Sequence, residues 1–129
     1  RVLKEASGGV YSEKAAGTLG SAYLNKYFTK VRQNEVNTYA INEKLKRHIV
    51  FRGFNLVTGN YGIFKEKKFD IIFCRNVMIY FDKPTQTTLV EKFYNMLDKD
   101  GYLFIGSSEA LTDIKTGFKS RSASIYQKV

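Results

Sequence analysis

The chain has 129 residues, 43% of them hydrophobic and 15% aromatic, so it is one domain or a piece of one with enough apolar surface to build a core. Its formal net charge is +9, and its single cysteine excludes an internal disulfide and a cysteine-built metal cluster. No apolar run approaches the roughly 20 residues that cross a bilayer, and the opening RVLKEASGGV lacks the layout of a signal peptide, so membrane insertion is not expected.

The charge is unevenly placed. Residues 1–68 hold thirteen Lys/Arg against five Asp/Glu, whereas residues 69–129 hold eight against seven. Such an asymmetry points to an anionic partner for the first half, and nucleic acid, anionic lipid and an acidic protein all fit it. The aromatics sit mainly in apolar runs and are not interleaved with Lys/Arg, so the case for nucleic acid rests on charge alone and no nucleic-acid partner is expected.

In chain order, residues 1–28 read as helical with interruptions. Gly8-Gly9 can end a first helix in a left-handed turn, Ser12 can cap a second, and Ser21 to Phe28 gathers Leu24, Tyr27 and Phe28 on one face. Residues 29–47 are the most polar segment. A small antiparallel β element is expected there, with Tyr39-Ala40-Ile41 as a strand and Asn42 as the N-cap of Glu43 to Arg47. His48 to Phe51 reads as a strand followed by Asn55-Leu56. His48, the only histidine, has no carboxylate or cysteine partners nearby and reads as a surface or strand-edge residue, not a ligand or base.

Phe69 to Cys74, FDIIFC, is an apolar run entered through Lys65-Glu66-Lys67-Lys68; it predicts a strand covered on both faces, as in the middle of a parallel sheet. At its end the chain turns abruptly to Arg75-Asn76. Open α/β sheets bind ligands beyond the carboxyl ends of their strands, so polar chemistry is expected there. Pro84 to Leu97 is the clearest helix, with Leu89, Val90, Phe93, Met96 and Leu97 as a core-facing stripe ended by Asp98 to Gly101. Tyr102 to Ile105 is the next strand, Gly106 to Glu109 a polar turn, and Ser122 to Val129 a last strand forming a hairpin edge.

The string Cys74-Arg75-Asn76-Val77-Met78-Ile79-Tyr80-Phe81-Asp82 closely resembles the motif of the CheR family, the chemotaxis receptor glutamate methyltransferases. Gly9 to Ser12, Phe51 to Leu56 (FRGFNL) and Gly101 to Leu111 (GYLFIGSSEAL) resemble the same family in the same order. The resemblance implies an α/β fold, the carboxyl-terminal half of a Rossmann-like class I methyltransferase sheet, with the β element at 29–47 as a small inserted subdomain. It further implies a cytoplasmic enzyme that transfers a methyl group from S-adenosyl-L-methionine to glutamate side chains on the acidic helices of chemoreceptors. S-adenosyl-L-homocysteine would be the product. By the same resemblance, Asn55 and Leu56 flank the adenine of the donor, Arg75 and Asn76 line its amino-acid and sulfonium end, and Tyr80 stands beside the transferring methyl as the catalytic residue. Read without the resemblance, Asn55 is a turn residue, Tyr80 a core aromatic, and Arg75 either a salt-bridged surface residue or, because it follows six apolar residues, a cation exposed at a cleft.

Methyltransferases that act on nitrogen typically carry Asn/Asp-Pro-Pro-Tyr/Phe after this strand; Arg-Asn-Val-Met stands here instead, which favours an oxygen acceptor. No Gly-x-Gly follows an apolar strand, and the family's acidic ribose-binding residue and helical amino-terminal domain have no counterpart. The chain therefore reads as part of a larger enzyme, inactive alone. An incomplete sheet would leave an edge by which two copies could pair or swap. The competing reading is a non-catalytic module that binds an acidic protein.

Overall fold

The computed structural model describes residues 1–64 and 66–129, and the chain divides into two compact units, Arg1–Phe54 and Asn55–Val129. Lys65, in the charged cluster preceding FDIIFC, lies outside the described residues.

In the first unit, α1 (Val2–Gly8) ends at Gly9, whose φ of 65° is the left-handed cap expected of that glycine pair. A short strand β1 (Val10–Ser12) follows, and the Ser12 hydroxyl accepts from the Ala15 N–H at 3.2 Å to start α2 (Glu13–Ala16). After α3 (Ser21–Tyr27), β2 (Phe28–Gln33) and β3 (Val36–Ile41) form an antiparallel hairpin, and β1 adds to its other side in the order β1-β3-β2. The hairpin turns through Asn34 and Glu35, with φ of 48° and 64°. Two positive φ values suit the right-handed twist of the strands; asparagine adopts them readily, and glutamate does so at a cost that the paired strands outweigh. Asn42 precedes α4 (Glu43–Lys46) without a side-chain cap. Its amide instead accepts from the Thr29 hydroxyl at 2.8 Å and donates to the Lys26 carbonyl at 3.2 Å, tying the hairpin to the end of α3.

The strand expected at His48 to Phe51 does not form; Ile49, Val50 and Phe51 are exposed, and no neighbouring backbone in either sheet supplies a ladder. An apolar sequence becomes a strand only where a partner edge accepts its N–H and C=O groups.

The second unit opens with the Asn55–Leu56 turn and a 3₁₀ segment at Tyr61–Phe64. Strand β4 (Phe69–Cys74) runs parallel to β5 (Leu97–Ile105), with Ile71 opposite Tyr102 and Cys74 opposite Ile105. The helix α5 (Lys83–Met96) connects them; Asp82 accepts from the Thr85 N–H at 2.9 Å to cap it, and Pro84 sits in its first turn. Strands β6 (Phe118–Ser122) and β7 (Ile125–Lys128) complete the sheet antiparallel, in the order β4-β5-β7-β6. The final strand is thus internal, between β5 and β6, and not the hairpin edge the sequence predicts. Its Lys128 Nζ donates to the carbonyls of Tyr94 and Leu97 at 2.9 and 2.8 Å, placing a cation on the carbonyl-rich end of α5.

Helix α5 presents Leu89, Val90 and Phe93 to a core shared with Cys74, Leu97, Leu103, Ile105, Leu111, Ile114 and Phe118. That core lies on one face of the sheet only. On the opposite face Ile71 is 49% and Phe73 68% exposed, and the Phe73 ring stacks on Phe104 at 4.7 Å. The expectation that FDIIFC is covered on both faces is thereby corrected: β4 pairs with β5 alone, and one side of the strand is bare among the described residues. The composition of a strand records that both faces are apolar, not which of them is covered. No helix among the described residues is long and apolar enough to cross a membrane.

Candidate functional site

Both parallel strands end in polar loops on the same side, because parallel strands present their carboxyl ends together. After β4 come Arg75 and Asn76, then a 3₁₀ turn at Met78–Tyr80; after β5 come Gly106, Ser107, Ser108 and Glu109. Glu109 binds the two loops together. The residue is 8% exposed, and its carboxylate accepts three backbone N–H groups: Gly106 at 2.6 Å and Asn76 at 3.1 Å on Oε2, and Ile79 at 3.1 Å on Oε1. Charge-assisted bonds of this type are the strong ones, and a buried carboxylate needs them to offset its lost hydration.

Asn76 takes a left-handed conformation, φ 58°, which bends the chain sharply out of β4 and directs its N–H at Glu109. The Arg75 guanidinium is exposed and makes no ion pair among the described residues. The Tyr80 side chain is 80% exposed, which removes the core-aromatic reading for it.

Asn55 and Leu56 are placed differently. The Asn55 Oδ1 accepts from the Val57 and Thr58 N–H groups at 2.9 and 3.0 Å, closing its own turn as the simpler reading expected, and its exposed Nδ2 makes no hydrogen bond among the described residues. Leu56 is half-buried against the core, and its carbonyl accepts from the Tyr61 hydroxyl at 2.8 Å. It also borders a cavity of about 200 Å³ shared with Val57, Pro84, Thr85, Thr88, Leu89 and Lys92. Asn55, Arg75, Asn76 and Tyr80 do not line that cavity. Of the residues singled out in the sequence, Arg75, Asn76 and Tyr80 thus share one fastened segment, while Asn55 and Leu56 belong to a turn seated by Tyr61 and α5.

Sequence reasoning placed Glu109 in a polar turn but missed its role. The one available signal was a lone carboxylate two residues before the apolar Leu111, a position that burial makes expensive unless donors converge on it.

Cys74, directly before Arg75, is a buried free thiol. Burial, and secondarily the charge of Glu109, pushes its thiol up to about 11. A folded-state value above that of a free thiol, roughly 8.5, favours the neutral form in the fold. Its contribution to stability is therefore complete below about pH 8.5 and is lost as the pH rises through 11. At pH 8 the native chain should alkylate with iodoacetamide on the order of 10²-fold more slowly than a free thiol, and equal rates would contradict the burial.

Among the described residues no group of His, Cys, Asp and Glu is arranged to hold a metal. Parallel strands continued by an antiparallel pair, with polar loops beyond the parallel carboxyl ends, make the second unit part of a Rossmann-like α/β sheet. A family model described as CheR methyltransferase, SAM binding domain, matches residues 1–127, and the chain belongs to that family. S-adenosylmethionine is accordingly its cofactor. Among similar proteins, a chemotaxis protein methyltransferase of Salmonella typhimurium is 34% identical over 125 residues, covering 97% of this chain and 43% of that protein. Another from Borreliella burgdorferi is 40% identical over 110 residues, covering 85% and 37% respectively. Chemotaxis protein methyltransferase 2 of Vibrio cholerae is 33% identical over 117 residues, covering 91% and 39%. The chain spans about two-fifths of the length of these relatives.

The residues present fit the cofactor in chemical type. An exposed guanidinium with no ion pair among the described residues suits the carboxylate of its methionine end, and an exposed amide donor beside a half-buried leucine suits the edge and face of its adenine.

Proposed function

We propose that this chain is the carboxyl-terminal part of a cytoplasmic S-adenosylmethionine-dependent protein-glutamate O-methyltransferase that modifies chemotaxis receptors. The observation that carries the reading is the fastening of the Arg75–Tyr80 segment to the loop after β5 by the buried Glu109 carboxylate. It fixes a polar rim at the carboxyl ends of two parallel strands, where such sheets act on small ligands.

When bound, S-adenosylmethionine would supply an electrophilic methyl group and take the released electron pair on sulfur, leaving S-adenosylhomocysteine. In this reading Arg75 and Asn76 hold the methionine end, Asn55 and Leu56 hold the adenine, and Tyr80 sits over the acceptor. A glutamate carboxylate is already a nucleophile at neutral pH, so the reaction needs no general base. It needs alignment and exclusion of water, tasks suited to an exposed aromatic ring on a rigid turn. The thirteen Lys/Arg among residues 1–68 would steer acidic receptor helices to the enzyme, more weakly as salt rises.

The test is transfer of labelled methyl from S-adenosylmethionine to a receptor cytoplasmic fragment by the full-length protein. Label released by mild base is the expected result, because carboxyl esters hydrolyse. Base-stable label would exclude an ester, and receptor binding without transfer would favour a non-catalytic interaction module.

A further inference from the structure

Tyr80 is held in an unusual way. Its side chain is 80% exposed, so packing does not position it, yet the backbone around it is fixed on two sides by side chains of opposite hydrogen-bonding character. From the loop after β5, the Glu109 carboxylate accepts from the N–H groups of Asn76 and Ile79, each at 3.1 Å. From α5, the half-buried Gln86 Nε2 donates to the carbonyls of Met78 at 2.7 Å and Phe81 at 3.1 Å. Within the turn, the Tyr80 N–H donates to the Val77 carbonyl at 3.2 Å, and the Phe81 N–H donates to the Met78 carbonyl at 3.0 Å.

The geometry points to Glu109 and Gln86 as a two-sided clamp that positions Tyr80 for methyl transfer. This rests on the methyltransferase reading above, and assigns the two residues a part in it. Glu109 serves only acceptors' partners, the N–H groups, and Gln86 only carbonyls. Neither can take over the other's bonds: an ionised carboxylate has no proton to donate, and the Gln86 nitrogen has no lone pair to offer an N–H. The clamp holds the Met78–Tyr80 turn by its backbone and leaves the Tyr80 ring and hydroxyl at the rim. Both are positioning residues, acting through Tyr80 and not on the reacting atoms.

The experiment uses the full-length protein with E109Q, Q86M and Tyr80→Ala, singly and combined. In E109Q the new amide cannot accept at both oxygen positions, so at least one N–H loses its partner; Q86M keeps the length of the side chain and removes both donated bonds. Each clamp variant should lower kcat by about 10–100-fold, the scale of a misplacement near 1 Å. KM for the donor and the affinity for S-adenosylhomocysteine should change by less than about threefold for Q86M, which leaves Arg75 and Asn76 fastened. Added to Tyr80→Ala, either clamp variant should have little further effect on kcat, because the residue it acts through is already gone. Losses that multiply in the double variants would overturn the proposal. Amide hydrogen exchange provides a separate arm that needs no catalysis. Exchange at Ile79 or at Asn76, whichever the amide oxygen no longer serves, should quicken in E109Q, and exchange at Phe81 should quicken in Q86M as the Met78–Phe81 turn loosens, while α5 and β5 keep their protection. Unchanged exchange at these amides would overturn the clamp, whereas altered exchange in a protein that transfers no methyl would leave the clamp standing and reject the methyltransferase reading.

Discussion

Replacing Phe93 by alanine is expected to cost about 3–5 kcal/mol, the range for deleting a large aromatic from a packed interior. Phe93 is 4% exposed on the inner face of α5 and belongs to the core with Leu89, Val90, Leu97 and Leu103. The loss has two parts. One is the hydrophobic transfer of a ring's worth of surface, and the other is the cavity left when α5 and the sheet close only partly around it. Relaxation is restricted at both ends of the helix. Asp82 caps the first turn, and Lys128 holds the carbonyls of Tyr94 and Leu97. Phe93→Leu, which retains most of the volume, should cost distinctly less. Denaturant unfolding of the two variants checks this, with m-values close to the parent. A cost below about 1 kcal/mol for the alanine variant would mean that this helix does not organise the core.

Gly106→Ala should be comparably severe although it adds only one methyl group. A Cβ at this position would stand 2.8 Å from the Glu109 Oε2 and 3.0 Å from the Asn76 nitrogen, and closer still to the Asn76 Oδ1. The exposed Asn76 amide can swing aside, but the Glu109 carboxylate and the Asn76 backbone nitrogen cannot retreat freely. The Gly106 N–H itself donates to Glu109 at 2.6 Å, so moving the carboxylate breaks bonds to both loops. Overpacking alone costs roughly 1–3 kcal/mol, and each charge-assisted hydrogen bond lost adds about 1.5–3 kcal/mol. A loss of about 3 kcal/mol or more is expected, together with loss of S-adenosylhomocysteine binding by the full-length protein. Gly8→Ala serves as the control. A Cβ there meets nothing within 4 Å, and the residue ends a helix, so its effect should stay within about 0.5 kcal/mol. Thermal unfolding and ligand titration of both variants decide the matter; equal behaviour would show that the close approach at Gly106 is not needed.

Local signals in this chain were legible where the physics is local. The left-handed stop at Gly9, the Ser12 cap and the Asp82-Lys83-Pro84 start each depend on neighbours within four residues, and each is found where the sequence puts it; the stripe of α5 holds only as far as Met96, because Leu97 and the Asp98 to Gly101 stretch expected to end the helix are drawn into β5 by pairing with β4. Strand β4 and its abrupt change to Arg75-Asn76 were legible for the same reason. Strands β1 and β6 were not. Val10-Tyr11-Ser12 is too short to show alternation, and Phe118 to Ser122 is mostly polar, so both are strands only because β3 and β7 accept them.

What the sequence determined by itself was the set of elements with strong internal periodicity or capping, the basic first half, and a motif of nine residues specific enough to point to a family later matched over residues 1–127. What only the tertiary structure decided was pairing and coverage. His48 to Phe51 finds no edge, β7 lies inside the sheet, β4 is bare on one face, and Glu109 reaches back 30 and 33 residues to fasten the segment that carries Tyr80. The reason is physical. A helix satisfies its hydrogen bonds from its own next turn, whereas a strand or a buried carboxylate is satisfied by groups far along the chain, whose arrival is set by the fold as a whole.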